Sequence, residues 1–283
     1  MSDLKTIFFS LHIDRSHVSR FLENSLNGLL REQKFGNVQL IVHFDHFRGY
    51  YLGLTLRIEE SLKRFFLSEL QRTIHNFFQT IKKTKGQFND QLFMDFTPGT
   101  ILYGSHRFVP FFLIDGIRYP IESFYSSSTI LISNIRLLTT STNSAITHLL
   151  YFAIGLFLRL NNGVKLLISI PSTLANNNLA FLQSFQTYYI DNEDLFRRIY
   201  DKAHKIIKGK SKKNEWIQHW IEMHFQSITN YLKTNNKLDA SVEFAKVLKY
   251  TLTQLGRSDD YLLLNIVLSN LLNQTPKLQK NLI

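Results

Sequence analysis

VHFDHFRGYYLGLTLR, residues Val42–Arg57, is the stretch from which the fold is read. A polar, aromatic-punctuated turn (His43, Asp45, His46, Arg48, Gly49) runs into strict alternation. Tyr51, Gly53, Thr55 and Arg57 fall on one side, and Leu52, Leu54 and Leu56 on the other. Period-two alternation signals a β-strand with one face in a core. The opposite face then carries tyrosine, glycine, threonine and arginine, an uncommon set for plain solvent exposure. Gly53 is the informative member. Glycine weakens a strand interior, and it marks either a bulge or a place where something approaches the backbone.

Outward from this strand the elements follow by periodicity. Lys5–His12 reads as a first strand, and Asp14 as the N-cap of a helix carrying Val18, Phe21, Leu22, Leu26, Leu29 and Leu30. Val38–Phe44 and Tyr50–Arg57 are two further strands. A long helix with Leu62, Phe66, Leu70, Ile74, Phe77 and Ile81 on one stripe stops near Gly86. Residues 87–122 are least regular, with turns at Thr97-Pro98-Gly99-Thr100 and Asp115-Gly116 and extended pieces around Leu102–Tyr103 and Val109–Ile114. Ser126–Ser128 is placed to cap a helix over Ile130–Leu138, and Thr142/Asn143 one over Ala145–Leu160, ended by Asn161-Asn162-Gly163. Helices are then expected at Asp194–Ile207, Asn214–Lys233, Asp239–Leu255 and Ser258–Leu272. The expected class is α+β, a small antiparallel or mixed sheet with packed helices followed by a mostly helical half. The expected organisation is a single domain over 1–283, with an α/β part at 1–122 and a mainly helical part at 123–283.

Composition narrows the function classes. The chain is 44% hydrophobic and 13% aromatic, so it can bury a real core. With no cysteine it has no disulfide, thiolate nucleophile, Cys-ligated zinc or iron–sulfur cluster. The start lacks a signal-peptide pattern, and Leu149–Leu158 is too short to span a bilayer, so a cytoplasmic protein without a membrane role is expected. The net charge of +11 draws anionic partners without choosing among them. Its one cluster, Lys205–Lys213 (KIIKGKSKK), fits a solvated loop or a site for an acidic or phosphate-bearing partner.

No metal centre is expected. His43 and His46, with Asp45 between, have neither helical context nor matching downstream ligands, and read as a polar turn. There is no G-x-x-x-x-G-K-[ST], G-x-G-x-x-G or G-x-S-x-G, which leaves nucleotide-dependent and serine-hydrolase chemistry without support. Two polar constellations remain. Ser10 and His12, two apart in a strand, share a face. On the helix Asn214–Lys233, Trp220, His224, Ser227 and Tyr231 line up beside the apolar stripe Ile217, Ile221, Ile228 and Leu232. Each also has a packing explanation, since histidine and tyrosine often sit satisfied at a core margin.

The opening strand and helix, the aromatic-rich entry to the second strand pair, the Tyr103-Gly104 step and the segment FYSSSTILI follow one order. In this the chain resembles the C-terminal elimination domain of lanthipeptide dehydratases and its stand-alone relatives in thiopeptide biosynthesis. The departures are instructive. Glutamate-eliminating members carry a P-H-L-R-L-R strand, where this chain has Tyr51, Gly53 and Thr55 in the His, Arg and Arg places. The glutamate before R-Y-G-G is missing from GTILYGS, and Leu102 takes the arginine place. The late H-M-x-x-N-R motif is reduced to QSITNYL, with Gln226, Asn230 and Tyr231 corresponding.

A kept fold with those cations lost is similar to the thiopeptide pyridine synthases of the micrococcin/thiocillin type. That resemblance implies a formal aza-Diels–Alder reaction between two dehydroalanines of a modified precursor peptide, then loss of water and of the leader. It implies no cofactor. The catalytic candidates are Tyr51, Ser227, Tyr231, His224, Ser10 and His12, and the substrate-binding ones Gly53, Thr55, Arg57, Tyr103 and Trp220. The implied partner is a precursor peptide with an acidic leader, azoles and dehydroalanines, together with other maturation enzymes; no nucleic acid or membrane is implied. Arg15, Arg20 and Arg31 on the first helix, or Lys205–Lys213, are leader-binding candidates. Two alternatives stay open: a stand-alone glutamate-elimination domain of a split dehydratase, and a non-catalytic basic peptide- or nucleic-acid-binding protein.

Overall fold

Alternation in the first sixty residues resolves into three strands: β1 (Leu4–His12), β2 (Gln39–Asp45) and β3 (Tyr51–Glu59). With β4 (Ile101–Tyr103) they form a sheet ordered β2-β3-β1-β4, antiparallel at every pairing. The computed structural model describes residues 4–32, 35, 38–45, 51–81, 99–103, 130–131, 134, 142–160, 183, 187–234, 239–255 and 261–273. Expectations at Gly86, Thr97-Pro98, Val109–Ile114, Asp115-Gly116, Ser126–Ser128 and Asn161-Asn162-Gly163, and most of Ile130–Leu138, lie outside them. The fold is α+β, with a mostly helical second half.

Two compact units divide the chain: residues Met1–Thr139 with Thr253–Gly256, and Thr140–Leu252 with Arg257–Ile283. In the first, one sheet face (Phe9, Leu11, Leu40, Val42, Leu52, Leu54, Leu56) packs against helices α1 (Arg15–Phe21), α2 (Asn27–Leu30) and α3 (Glu60–Thr80). Asp14 caps α1, its Oδ1 accepting from the Ser16 N–H at 2.8 Å and from the Ser16 hydroxyl at 2.7 Å. Those bonds favour the ionised carboxyl and hold it below its ordinary range. The single helix expected after Asp14 is interrupted by a π-turn, Leu22–Leu26, where Asn27 N–H reaches back to the Leu22 carbonyl. Leu22 and Leu26 are both fully buried there.

One glycine of the first unit is required by its backbone. Gly99 has φ +94°, a left-handed conformation disfavoured for other residues. A Cβ there would also meet the Phe78 ring at 3.2 Å. Gly99 N–H donates to the His12 carbonyl at 2.8 Å, and His12 N–H to the Thr100 carbonyl at 3.0 Å, extending the β1–β4 pairing.

The second unit contains helices α4 (Thr142–Leu160), α5 (Glu193–Ile207), α6 (Glu215–Thr234), α7 (Ala240–Gln254) and α8 (Tyr261–Asn273). Observed bounds differ from the expected ones by a few residues, as fraying ends do. A 3₁₀ turn, Lys212–Asn214, occupies the expected start of α6. Gly155 lets α4 approach α5 and α6: a Cβ there would press on Ile221 Cδ1 and lie 3.1 Å from Ile207 Cγ2. Gly155→Leu is expected to cost about 2–3 kcal/mol through overpacking, despite leucine's better helix propensity. A thermal melt should show this as a fall of roughly 5–10 °C.

Candidate active site

The sheet's second face carries the first group of candidates. Residues paired across antiparallel strands lie on the same face, so register defines the rows. One row runs across all four strands: His43 pairs with Gly53, Gly53 with Ser10, and Ser10 with Leu102. The next is Asp45, Tyr51 and His12. On the other side of the glycine row lie Ile41, Thr55 and Phe8, then Gln39, Arg57 and Thr6. Gly53 therefore places a gap in side-chain cover between two strands bearing polar residues. Of Tyr51, and likewise Arg15, only the backbone is described.

This face is not a solvent face. Ser10 is 2% exposed, His12 5%, Thr55 2% and Ile41 1%. Burial pushes the His12 imidazole below its ordinary range, leaving it neutral at pH 7 with one nitrogen to accept and one to donate. Arg57, at the far end, is half-buried, with its guanidinium 3.5 Å from Gln39 Oε1. Tyr103 is placed otherwise. It pairs with Phe9, so it shares the helix-covered face, with its hydroxyl accepting from Gln71 Nε2 at 2.9 Å. The structure thus brings Ser10, His12, Gly53, Thr55 and Arg57 onto one face and puts Tyr103 on the other. Arg20 and Arg31 are exposed on the first helical stretch.

The second group lies on α6. Its buried stripe is Ile217, Trp220, Ile221, His224 and Ile228, so Trp220 and His224 are within the core stripe and not beside it. The reason is aromatic packing against α4. Trp220 stacks on Phe152 with centroids 4.0 Å apart, and His224 meets the same ring edge-on at 5.5 Å. Trp216 extends the stack, 6.0 Å from Trp220 and 5.6 Å from His148. Enclosure drives the His224 imidazole down to about 3, so it is neutral at pH 7. Ser227 and Tyr231, one turn apart, stay half-buried at the stripe's margin. Arg159 of α4 reaches Glu222, with Nε at 3.1 Å from Oε2, and lies over the Phe225 ring.

Sequence reading missed one ion pair built on a buried acid. Glu243 on α7 is fully buried, and its Oε1 accepts from Lys246 Nζ at 3.0 Å. An acid and a lysine three apart in a helix are too common to stand out by spacing alone. Among the described residues no three His, Asp or Glu side chains gather as a metal site, and no helix is long and apolar enough to cross a membrane.

Comparison of the whole architecture with solved structures brings out several similar chains, among them the following two. One is the pyridine synthase TbtD from thiomuracin biosynthesis, with a TM-score of 0.60 over 93% of this chain and 96% of that one, at 12% identity. The other is TsrL, with a TM-score of 0.56, covering 94% of this chain and 93% of that one at 11% identity. This chain shares their fold. The resemblance read from the strand and helix motifs thus extends along nearly the whole length. No family model and no curated protein matches the sequence.

Proposed function

We propose that the chain is a thiopeptide pyridine synthase acting on a modified precursor peptide with an acidic leader. The observation that carries this reading is the shared fold over nearly the full length of a pyridine synthase. The sheet face supports it, because Gly53 and Thr55 stand there in place of the arginines that a glutamate-eliminating relative needs to hold its leaving carboxylate.

The reaction joins two dehydroalanines. The amide of one is tautomerised to its iminol, giving an azadiene. Its two ends, the methylene carbon and the iminol carbon, form two C–C bonds with the alkene of the other, and the nitrogen between them becomes the ring nitrogen. Loss of water from the carbinol carbon, then of the leader as a carboxamide, leaves the pyridine. Holding the two ends together supplies much of the acceleration; well-oriented intramolecular pairs gain roughly 7–11 kcal/mol. The proton shifts need weak acids and bases, each contributing ~10²–10⁴-fold. Neutral His12 takes the amide N–H proton and delivers it to the carbonyl oxygen, making the iminol. Ser10, in the same strand, hydrogen-bonds the reacting amide, and Tyr51 stands in register with His12. The gap at Gly53 and the short Thr55 admit the azole-bearing peptide, and Arg57 contacts its flank; Tyr103, on the opposite sheet face, takes no part in this contact. Ser227 and Tyr231 on α6 are the proton carriers proposed for the later elimination, and Trp220 and the enclosed His224 support that helix from its core stripe. Arg15, Arg20 and Arg31 attract the leader's carboxylates.

The test is mass spectrometry and absorbance on a synthetic peptide with an acidic leader, thiazoles and two dehydroalanines. Loss of water plus the leader carboxamide, with new pyridine absorbance, is expected. An unchanged peptide would overturn the reading, and conversion of a glutamyl-serine peptide to dehydroalanine would replace it with elimination.

A further inference from the structure

The last turn of α5 and the link to α6 carry five exposed lysines in nine residues: Lys205, Lys208, Lys210, Lys212 and Lys213. None of the five is ion-paired with another described residue, and the segment contains no Asp or Glu. Mutual repulsion makes such clustering unfavourable unless something anionic offsets it. Stability accounts for only part of it. Lys205 and Lys208 suit the negative end of the α5 dipole, but Lys212 and Lys213 precede α6, at the positive end of its dipole, where cations are disfavoured.

The turn is also rigidly framed. Lys210 N–H donates to the Lys205 carbonyl at 2.9 Å and Gly209 N–H to the Ile206 carbonyl at 2.9 Å, the paired bonds of a Schellman ending, with Gly209 at φ +68°. Four residues on, Asn214 is buried, donating from its N–H to the Ser211 carbonyl and from Nδ2 to Ser211 Oγ. The lysines are thus carried on a set frame. Burial, and then the charge of Lys208, hold His204 below its ordinary range, against the opposing pull of Asp201.

We propose that this turn is a docking surface for an acidic peptide segment. The segment has neither arginine nor aromatic residues, so it lacks the forks and stacking platforms that nucleic acids use. Its apolar residues are turned inward, Ile206 buried and Ile207 half-buried, so it has nothing to insert into a bilayer. Lysine ammoniums on a fixed frame suit separated carboxylates. The turn belongs to the second unit and the arginines of the first helix to the first, and its existence does not depend on pyridine formation. Under the proposed function its natural occupant is the acidic leader.

The probe is a fluorescein-labelled, glutamate-rich peptide of about a dozen residues, followed by anisotropy with the full chain at about 50 and about 300 mM salt. Binding that weakens with salt is expected, and Lys210→Glu/Lys212→Glu/Lys213→Glu should weaken it at least tenfold. A control of equal charge change, Lys63→Glu/Arg64→Glu/Lys233→Glu, should weaken it less than threefold. The corresponding glutamine triple at the turn decides the matter should the reversal fail to fold. No binding by the unaltered chain, or equal losses in turn and control variants, would overturn the proposal. So would tighter, equally turn-dependent binding of an RNA oligonucleotide or of anionic vesicles. Because this probe cannot cyclise, failure here and failure of the synthase reading are separate results.

Discussion

His12→Gln should reduce pyridine formation by ~10²–10⁴-fold while leaving the thermal melt within a few degrees of the unaltered chain. Glutamine keeps hydrogen-bonding capacity and nearly the volume, but it cannot shuttle a proton near neutrality. The backbone at this position is fixed independently of the side chain by bonds to Gly99 and Thr100, so the strand should persist. The pH profile separates catalysis from packing. Burial lowers the imidazole's pKa, so its base form persists below pH 6.5, and the acid limb of kcat should lie on the acid side of that value. The variant should lack that limb. Equal activity in His12→Gln, or an unaltered acid limb, would remove His12 from the mechanism.

His224 gives the second large effect, on stability. Its folded-state pKa, about 3, lies below the ordinary value of 6.5. Above pH 6.5 both folded and unfolded chains hold it neutral, and its contribution is complete. As pH falls through 6.5 the unfolded chain takes up a proton that the folded chain refuses, and stability is lost at about 1.4 kcal/mol per pH unit. By about pH 4.5 the loss is roughly 2–3 kcal/mol, and it approaches about 4–5 kcal/mol near pH 3. Urea midpoints measured at about pH 7.5, 6 and 4.5 should fall accordingly. In His224→Leu, which fills similar space beside Phe152, that slope should largely vanish. His12 and His204, both lowered by burial, leave a smaller residual slope of the same sign. A parallel slope in variant and unaltered chain would place the acid sensitivity elsewhere.

Strands and helices were legible wherever a repeating pattern of apolar residues stated which face is covered. Leu52, Leu54 and Leu56 mark β3, and Phe66, Leu70, Ile74 and Phe77 mark α3, because burial of one face is a local property of the chain. Three features were not legible for the opposite reason. Placement of Trp220 and His224 in the α6 seam depends on Phe152, dozens of residues away, offering a ring to stack upon. Burial of Ser10 and Thr55 contradicts their polarity, and alternation alone gives such residues to solvent. The π-turn after α1 adds a residue without altering composition, so no helical template detects it. Within the candidate site, the Ser10/His12 pair and the Gly53 gap were readable from spacing. Their alignment into one row with His43 and Leu102 needed the strand register.

The backbone clamp at the end of β1 bears on how tolerance to substitution should be distributed. Gly99 and Thr100 lie almost ninety positions from His12 in sequence, yet their main-chain atoms hold it on both sides. Any side chain at Gly99 meets both a disfavoured φ and the Phe78 ring. The resulting shift is transmitted to the imidazole through two hydrogen bonds, with no chemical group of its own at stake. A survey of substitutions would therefore score Gly99 among the reactive positions, although its role is that of a hinge pin and it need never meet the substrate.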